Sequence, residues 1–562
     1  MRRWLLAGAL VVAALGAGPE EEAARNARQA SEALRRSQRT MHAWLKRASE
    51  TTGLLPRTGK DANWVVKDSA ADLYPFLVLA SYFTEPALYE TTMREILRRE
   101  VLLTTRVGRL SDDLRPGGGF AFPELDPDRV IFGSSEYAKD GLLPITEMLG
   151  DTPWYHRLRG IAADIVKHAP YRSPRGRLPA RSAEVNGNML QVLSRLAWKT
   201  GDPALLDQAL VIADFYFLDM LPATNYIPAD VWDVETRKPL RPVFVLSDHG
   251  NEIVGGLAEV YWLALHRRPE KARQWREAFT RMIDRLLEKG RNADGVWVSR
   301  LNVETGEVVD ARHAHCWGYM FNPVYTAYLA TGAEKYRKAV EGAIEAVTRK
   351  PEYLFDEQGA GRGWGANAYS DSIEGALVLL NRLPSRWRGG QGALGAPGGR
   401  VTERAETARA LDDAVQKFLS RQREDGIVED WYGDGNYIRT ALMYALWKTQ
   451  GVSVTPWNSR VHVGAVQRDG VLTVWLEAES PWQGRLRFDH PRHRDHWNIA
   501  RNYPRLNEFP EWFTVEHDEA YLAAGRTQLG AELIAGIPVT LRAGQVMVLE
   551  VRHAGAAPYG EK

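Results

Sequence analysis

From Glu20 to about Gly451 the chain alternates two kinds of helical segment, and this alternation constrains the fold more than any other feature. One set is amphipathic and polar on one side, at 20–52, 86–104, 153–168, 203–219, 269–289, 333–349 and 402–423. The other set is rich in Gly, Ala and aromatics and begins at Lys67, Ser135, Ser182, Asp248, His315, Ser370 and Asp434. An amphipathic helix covers one face of a neighbour, whereas a helix apolar all round must be enclosed. The second set recurs every ~50–70 residues, which marks stacked supersecondary units. Each unit is expected to be a helical hairpin, and the mainly α architecture that fits is an (α/α) toroid of six or seven hairpins. Gly141, Gly187, Gly255, Gly256 and Gly375 would let inner helices approach closely. The Gly-rich stretch Gly389 to Arg400 is expected to be a surface loop inserted in the toroid.

Near Val452 to Ser459 the period changes from helical to alternating, through RVHVGAVQRDGVLTVWLEAES, GRLRFDH and GIPVTLRAGQVMVLEVR. Asp469-Gly470 sits between two alternating runs, a strong hairpin signal. The expected organisation is therefore a toroid over 19–452 carrying the chemistry and a small antiparallel β-sandwich over 459–554. The first 18 residues, with Arg2 and Arg3 before an apolar run from Trp4 to Ala17, read as a signal peptide too short to span a bilayer. An exported protein, periplasmic or extracellular, is expected, with an uncleaved N-terminal anchor as the alternative. No other stretch is long and apolar enough to cross a membrane.

The 72 Lys and Arg balance 71 Asp and Glu, so no global field gathers nucleic acid. The lone Cys316 excludes an internal disulfide and cysteine-rich metal clusters. Nineteen Trp and 21 Tyr suit an aromatic-lined groove or a well-filled core.

A helical toroid followed by a compact β-domain resembles the six-hairpin glycosidases and toroid polysaccharide lyases, over nearly the whole chain after the leader. The related sugar 2-epimerase toroids share the architecture. The resemblance implies carbohydrate chemistry in an axial cavity where the inner helices begin, and no cofactor. Acids are dense there: Asp68 with Asp72, Glu136 with Asp140, Asp248 with Glu252 and Asp371 with Glu374 share helix faces by spacing. Helix capping explains such acids equally well.

The densest cluster runs from Ser247 through Asp248, His249, Gly250 and Asn251 to Glu252. His249 and Glu252 match the His-x-x-Glu that opens an inner helix of the epimerase-like toroids, although those usually carry Gly where this chain has Asp248. The same run is similar to the Asn-Asn-His-Gly of toroid lyases, but Asp248 would repel the uronate that Asn neutralises. Hydrolysis is therefore preferred over elimination and epimerisation, because a glycosidase needs two carboxylates. Asp248, His249, Glu252 and Asp371 are the candidate catalytic residues, with Asp248 or Asp371 as acid/base and Glu252 as partner carboxylate. A second cluster contains His313, His315, Cys316 and Trp317. Alternation puts the two histidines on different sides of a loop-to-helix junction, so no metal is assigned, and Trp317 is a candidate platform for a sugar ring. His313, His315, Trp364, Glu184, Asp68 and Tyr437 complete the candidate substrate-binding set, and Trp431 and Tyr432 are further aromatic candidates. The aromatic segment from Asn502 is expected to pack between domains, with covering the toroid wall or reaching its mouth through Tyr503, Arg505 or Trp512 as the alternative. A non-catalytic glycan-binding toroid stands as the rival; it needs aromatic lining without opposed carboxylates.

Overall fold

The computed structural model describes residues 18–246, 249–355, 365–383, 386–388 and 401–555. The Met1 to Ala17 leader, Asp248, Trp364 and the Gly389 to Arg400 loop lie outside them.

Among the described residues seven inner helices close a ring. They are η-turn Val66–Leu73 running into Tyr74–Thr84, then Pro127–Glu136 continuing through Tyr137–Leu142 to Leu143–Leu149, Ala183–Thr200, Glu252–Arg267, Phe321–Thr331, Ala366–Arg382 and Asp434–Thr449. Each packs against the next, and Asp434–Thr449 returns to Tyr74–Thr84. Outer helices such as Pro153–His168, Pro269–Lys289 and Glu334–Arg349 alternate with them.

The two classes differ as their compositions require. Pro269–Lys289 buries Ala272, Trp275, Phe279, Met282, Ile283 and Leu286 on one stripe and leaves its charges in water. Ala183–Thr200 is buried almost throughout, capped by the Ser182 side chain and ended at Gly201. A Cβ on Gly187 would sit 2.5 Å from the backbone of Glu252, and one on Gly256 2.6 Å from the Gly187 carbonyl. Those two inner helices are thus in backbone contact, as their glycines anticipate.

The N-terminal helix Pro19–Leu45 closes the ring from outside. It packs on Asp434–Thr449, with Trp44 Nε1 donating to Asp434 at 3.0 Å, and on the β-domain, with Asn26 donating to the Ala465 carbonyl at 2.9 Å. The β-domain has two antiparallel sheets around one core. Three strands pair in the order Ser453–Thr455, Trp482–Arg487, Ile537–Leu541. Five pair in the order Val461–Arg468, Val471–Ala478, Gln545–His553, Ala520–Ala523, Arg526–Leu529. Asp469 and Gly470 both have positive φ, +49° and +79°, and make the tight hairpin turn that their sequence signals.

Two features depart from expectation. Short strands occur within the toroid, including a sheet of Val243–Val245, Val298–Asn302 and Val308–His313. These pairs are two to six residues long and sit in connections between helices, too brief to leave an alternating signature. The segment from Asn502 also does more than fill an interdomain gap: it seals one end of the ring. Arg505 reaches Glu147, Leu506 packs on Gly255, and Asn507 donates to the carbonyl of Lys139.

Candidate active site

The segments before the inner helices Ala183–Thr200 and Glu252–Arg267 meet around one cavity. It measures about 380 Å³ and is lined by Ser182, Glu184, Asp230, Arg241, Gly250 and Arg300 among others. Glu184 lies in the first turn of Ala183–Thr200, beside the helix N-terminus. Gly250 is indispensable locally: a Cβ there would meet the Val245 carbonyl at 2.2 Å and Asp230 at 2.8 Å.

Along the axis the inner helices contribute charged side chains that bind one another. Lys139 is fully buried; it donates to Asp140 at 2.6 Å and also to Glu252. Burial alone would lower the Lys139 pKa, but Asp140, Glu252 and Glu136 hold it above the ordinary lysine value. Glu252 is fully buried as well and takes a second bond from Gln191 at 2.7 Å. Farther round the ring, Arg439 donates through Nη2 to Asp371 at 2.9 Å and through Nε to Glu374 at 2.8 Å. Tyr319 OH donates to Asp371 at 3.0 Å.

Asp371 and Glu374 differ in setting although one guanidinium joins them. The Asp371 side chain keeps 15% exposure, and both of its bonds fall on Oδ1. Glu374 is buried, and burial, opposed by Arg439 and assisted by Asp371, pushes its carboxyl up to about 7.

The other candidates fall in several places. Asp68 is buried and accepts from Arg57 at 2.5 Å. Asp248 and Trp364 lie outside the described residues; His249 begins the short turn His249–Asn251. His313 ends a strand with its ring edge-on to Tyr353, and His315 accepts from Ser372 through its carbonyl. No group of three metal-ligating side chains forms at these histidines among the described residues. Trp317 and Tyr437 are corrected from cavity lining to wall packing. Trp317 is fully buried, donates to the Tyr353 carbonyl at 3.0 Å and meets Phe321 edge-on. Tyr437 is stacked on Phe418 with its hydroxyl donating to the Leu419 carbonyl at 2.9 Å. Both rings have apolar neighbours and satisfied polar atoms, so neither presents a face to a ligand.

Lys139, Tyr319 and Arg439 join the site without having been singled out for it, and Glu374 enters it as the helix-face partner of Asp371. Their signal was present in two cases: Lys139 and Arg439 are lone basic residues inside apolar inner-helix runs, where burial demands a partner.

No protein-family model matches the chain, and no curated protein matches it at a significant level. Among solved structures it is similar to cellobiose 2-epimerase from Bacillus thermoamylovorans, at 12% identity and a TM-score of 0.42, over 69% of this chain and 99% of that one. It is similar to an α-1,6-mannanase from Salegentibacter sp. at 10% identity and a TM-score of 0.41, over 62% of this chain and 95% of that one. An unsaturated glucuronyl hydrolase specific for heparin is similar at 12% identity and a TM-score of 0.39, over 62% of this chain and 94% of that one. At these TM-scores the likenesses carry no functional assignment; the α/α toroid is defined by the packing of the chain's own helices.

Proposed function

We propose that this chain is an exported carbohydrate-active enzyme, a glycoside hydrolase that works at the axis of the toroid. The observation that carries the reading is Asp371. It is a partly exposed carboxylate on the axial face of an inner helix, with one oxygen fixed by Tyr319 and Arg439. Fixing Oδ1 by two donors sets the plane of the carboxylate, which leaves Oδ2 to exchange a proton with a glycosidic oxygen or a water. Hydrolysis of an acetal needs one carboxyl to protonate the leaving oxygen and another carboxylate to activate water or attack carbon. Asp371 takes the acid/base part. Asp248, which lies outside the described residues, is assigned the role of the second carboxylate. Glu252 is given a positioning role through Lys139, because its charge is spent on a buried ammonium.

The test is turnover of the wild type and Asp371→Asn on a panel of oligo- and polysaccharides, following reducing ends and the absorbance of unsaturated uronates. New reducing ends without that absorbance, lost in Asp371→Asn, are the expected result. Absorbance indicates elimination, and a changed sugar without either indicates epimerisation; each of these refutes hydrolysis. Binding without any turnover supports the glycan-binding alternative.

A further inference from the structure

A cluster in the β-domain plays no part in the site described above. His490 follows strand Trp482–Arg487, Asp495 lies in the short helix Arg492–Trp497, and His517 sits in the loop before Ala520–Ala523. Two neighbouring loops bring them together: Asp489 and Thr514 form a parallel bridge, and Val515 N donates to the Asp489 carbonyl at 3.0 Å. His490 Nδ1 is 2.6 Å and His517 Nε2 3.3 Å from the same atom, Asp495 Oδ2.

We infer that His490 Nδ1, Asp495 Oδ2 and His517 Nε2 form a binding site for a divalent transition metal ion of the zinc class. The three ligand atoms lie within 4.8 Å of one another, and they are the one group of three such side chains among the described residues. Tetrahedral zinc with bonds of ~2.0–2.2 Å separates its ligand atoms by little more than 3 Å, so the ion fits with small side-chain adjustment. The division of the carboxylate also fits. Oδ1 accepts from Arg494 Nε at 3.2 Å, an outer bond that orients the group while Oδ2 faces both imidazoles. Two imidazoles and one carboxylate without thiolate suit zinc, cobalt or nickel better than calcium or magnesium. The side chains of His490, Asp495 and His517 keep 23%, 22% and 48% exposure, so water can complete the coordination.

His496 lies edge-on to His490, ring centroids 5.0 Å apart, but its Nδ1 is engaged with the Glu147 carbonyl. It joins the metal cluster to the sealed end of the toroid. A bound ion would clamp the 488–496 and 514–519 segments beside that seal, so the site is structural and separate from the proposed sugar chemistry.

The experiment uses the full chain after removal of metal with a chelator. Co²⁺ is added while visible absorption is followed, then Zn²⁺ is added to displace it. One equivalent of cobalt with the intense bands of four-coordinate geometry, a micromolar dissociation constant, and at least tenfold weaker binding in His517→Ala and Asp495→Asn are expected. His313→Ala should bind like the wild type. Because a variant can lose binding by misfolding, ring nitrogen shifts of the wild type are recorded on adding Zn²⁺, and His490 and His517 should move while His496 keeps its shift. Absence of binding, binding unchanged in both ligand variants, or shifts confined to other histidines would overturn the inference.

Discussion

The sealed end of the toroid and the rest of its axis use the same residue types differently. At the sealed end, Arg505 with Glu147, Arg195 with Glu259 and Arg382 with Glu508 form largely buried pairs, and Arg195 also donates to the Leu506 carbonyl. Arg195, Arg505 and Glu147 are essentially without exposure. Elsewhere on the axis Asp371 keeps 15% exposure, while the cavity is lined by Glu184, Gly250 and their neighbours and not by Asp371. Buried ion pairs rarely add net stability, yet removing one partner strands a charge. The seal therefore specifies how the tail docks, whereas Asp371 keeps part of its carboxylate exposed. Arg439 and Asn507 link the two: Arg439 binds Asp371 and Glu374, and is 3.3 Å from Asn507 of the tail.

The sharpest way to break this division is at the seal. Arg505→Ala leaves the buried Glu147 with only the looser Arg195 contact at 3.6 Å and is expected to cost about 3–5 kcal/mol in urea unfolding. The double variant Arg505→Met with Glu147→Leu should regain most of that loss, and failure to regain it would mean that the pair supplies more than charge balance. Asp371→Asn is expected to lower turnover by about 10²–10⁴-fold, with unfolding nearly unchanged above pH about 7, where Glu374 is ionised and still pairs the buried Arg439.

A smaller effect concerns Glu374, whose carboxyl stays protonated in the folded chain up to about 7. An unfolded glutamate titrates near 4.5, so between these values the unfolded chain binds fewer protons and stability falls as pH rises. The contribution is fully present below the unfolded value and is lost as pH rises through about 7, on the order of 3 kcal/mol. Glu374→Gln should flatten the stability profile across that window, and an unchanged slope would contradict the assignment. The mildest expectation is Glu184→Gln, which lines the cavity: a few-fold rise in KM with little change in melting temperature.

Legibility from sequence also differed between regions. The outer helices were readable almost to the residue, as at 86–104, 153–168 and 269–289, because their stripes face water on one side and core on the other. Gly187, Gly256 and Gly375 announced close approach for the same reason: a missing Cβ has one use inside a packed ring. The site was less readable. Acids at helix starts were visible, but whether Asp371 is partly exposed and Glu252 enclosed depends on which neighbour supplies a cation, and Lys139 is 113 residues from Glu252. Trp317 and Tyr437 misled because an aromatic ring looks alike in a wall and on a cavity surface. The seal was legible only as an alternative to interdomain packing, since its residues, Tyr503 to Trp512, take no regular structure and acquire their role only from partners across the ring.

The central claim is that Asp371 faces chemistry while Glu252 faces the core. Its most direct test measures turnover and melting temperature of Asp371→Asn and Glu252→Gln side by side on the oligosaccharide that the wild type cleaves. Measured above pH about 7, where Glu374 is ionised and still pairs Arg439, Asp371→Asn should lose turnover and keep its melting temperature. Glu252→Gln should lose about 1–3 kcal/mol of stability while retaining turnover wherever it remains folded. Full turnover in Asp371→Asn, or turnover abolished in a Glu252→Gln protein of wild-type stability, would contradict the account.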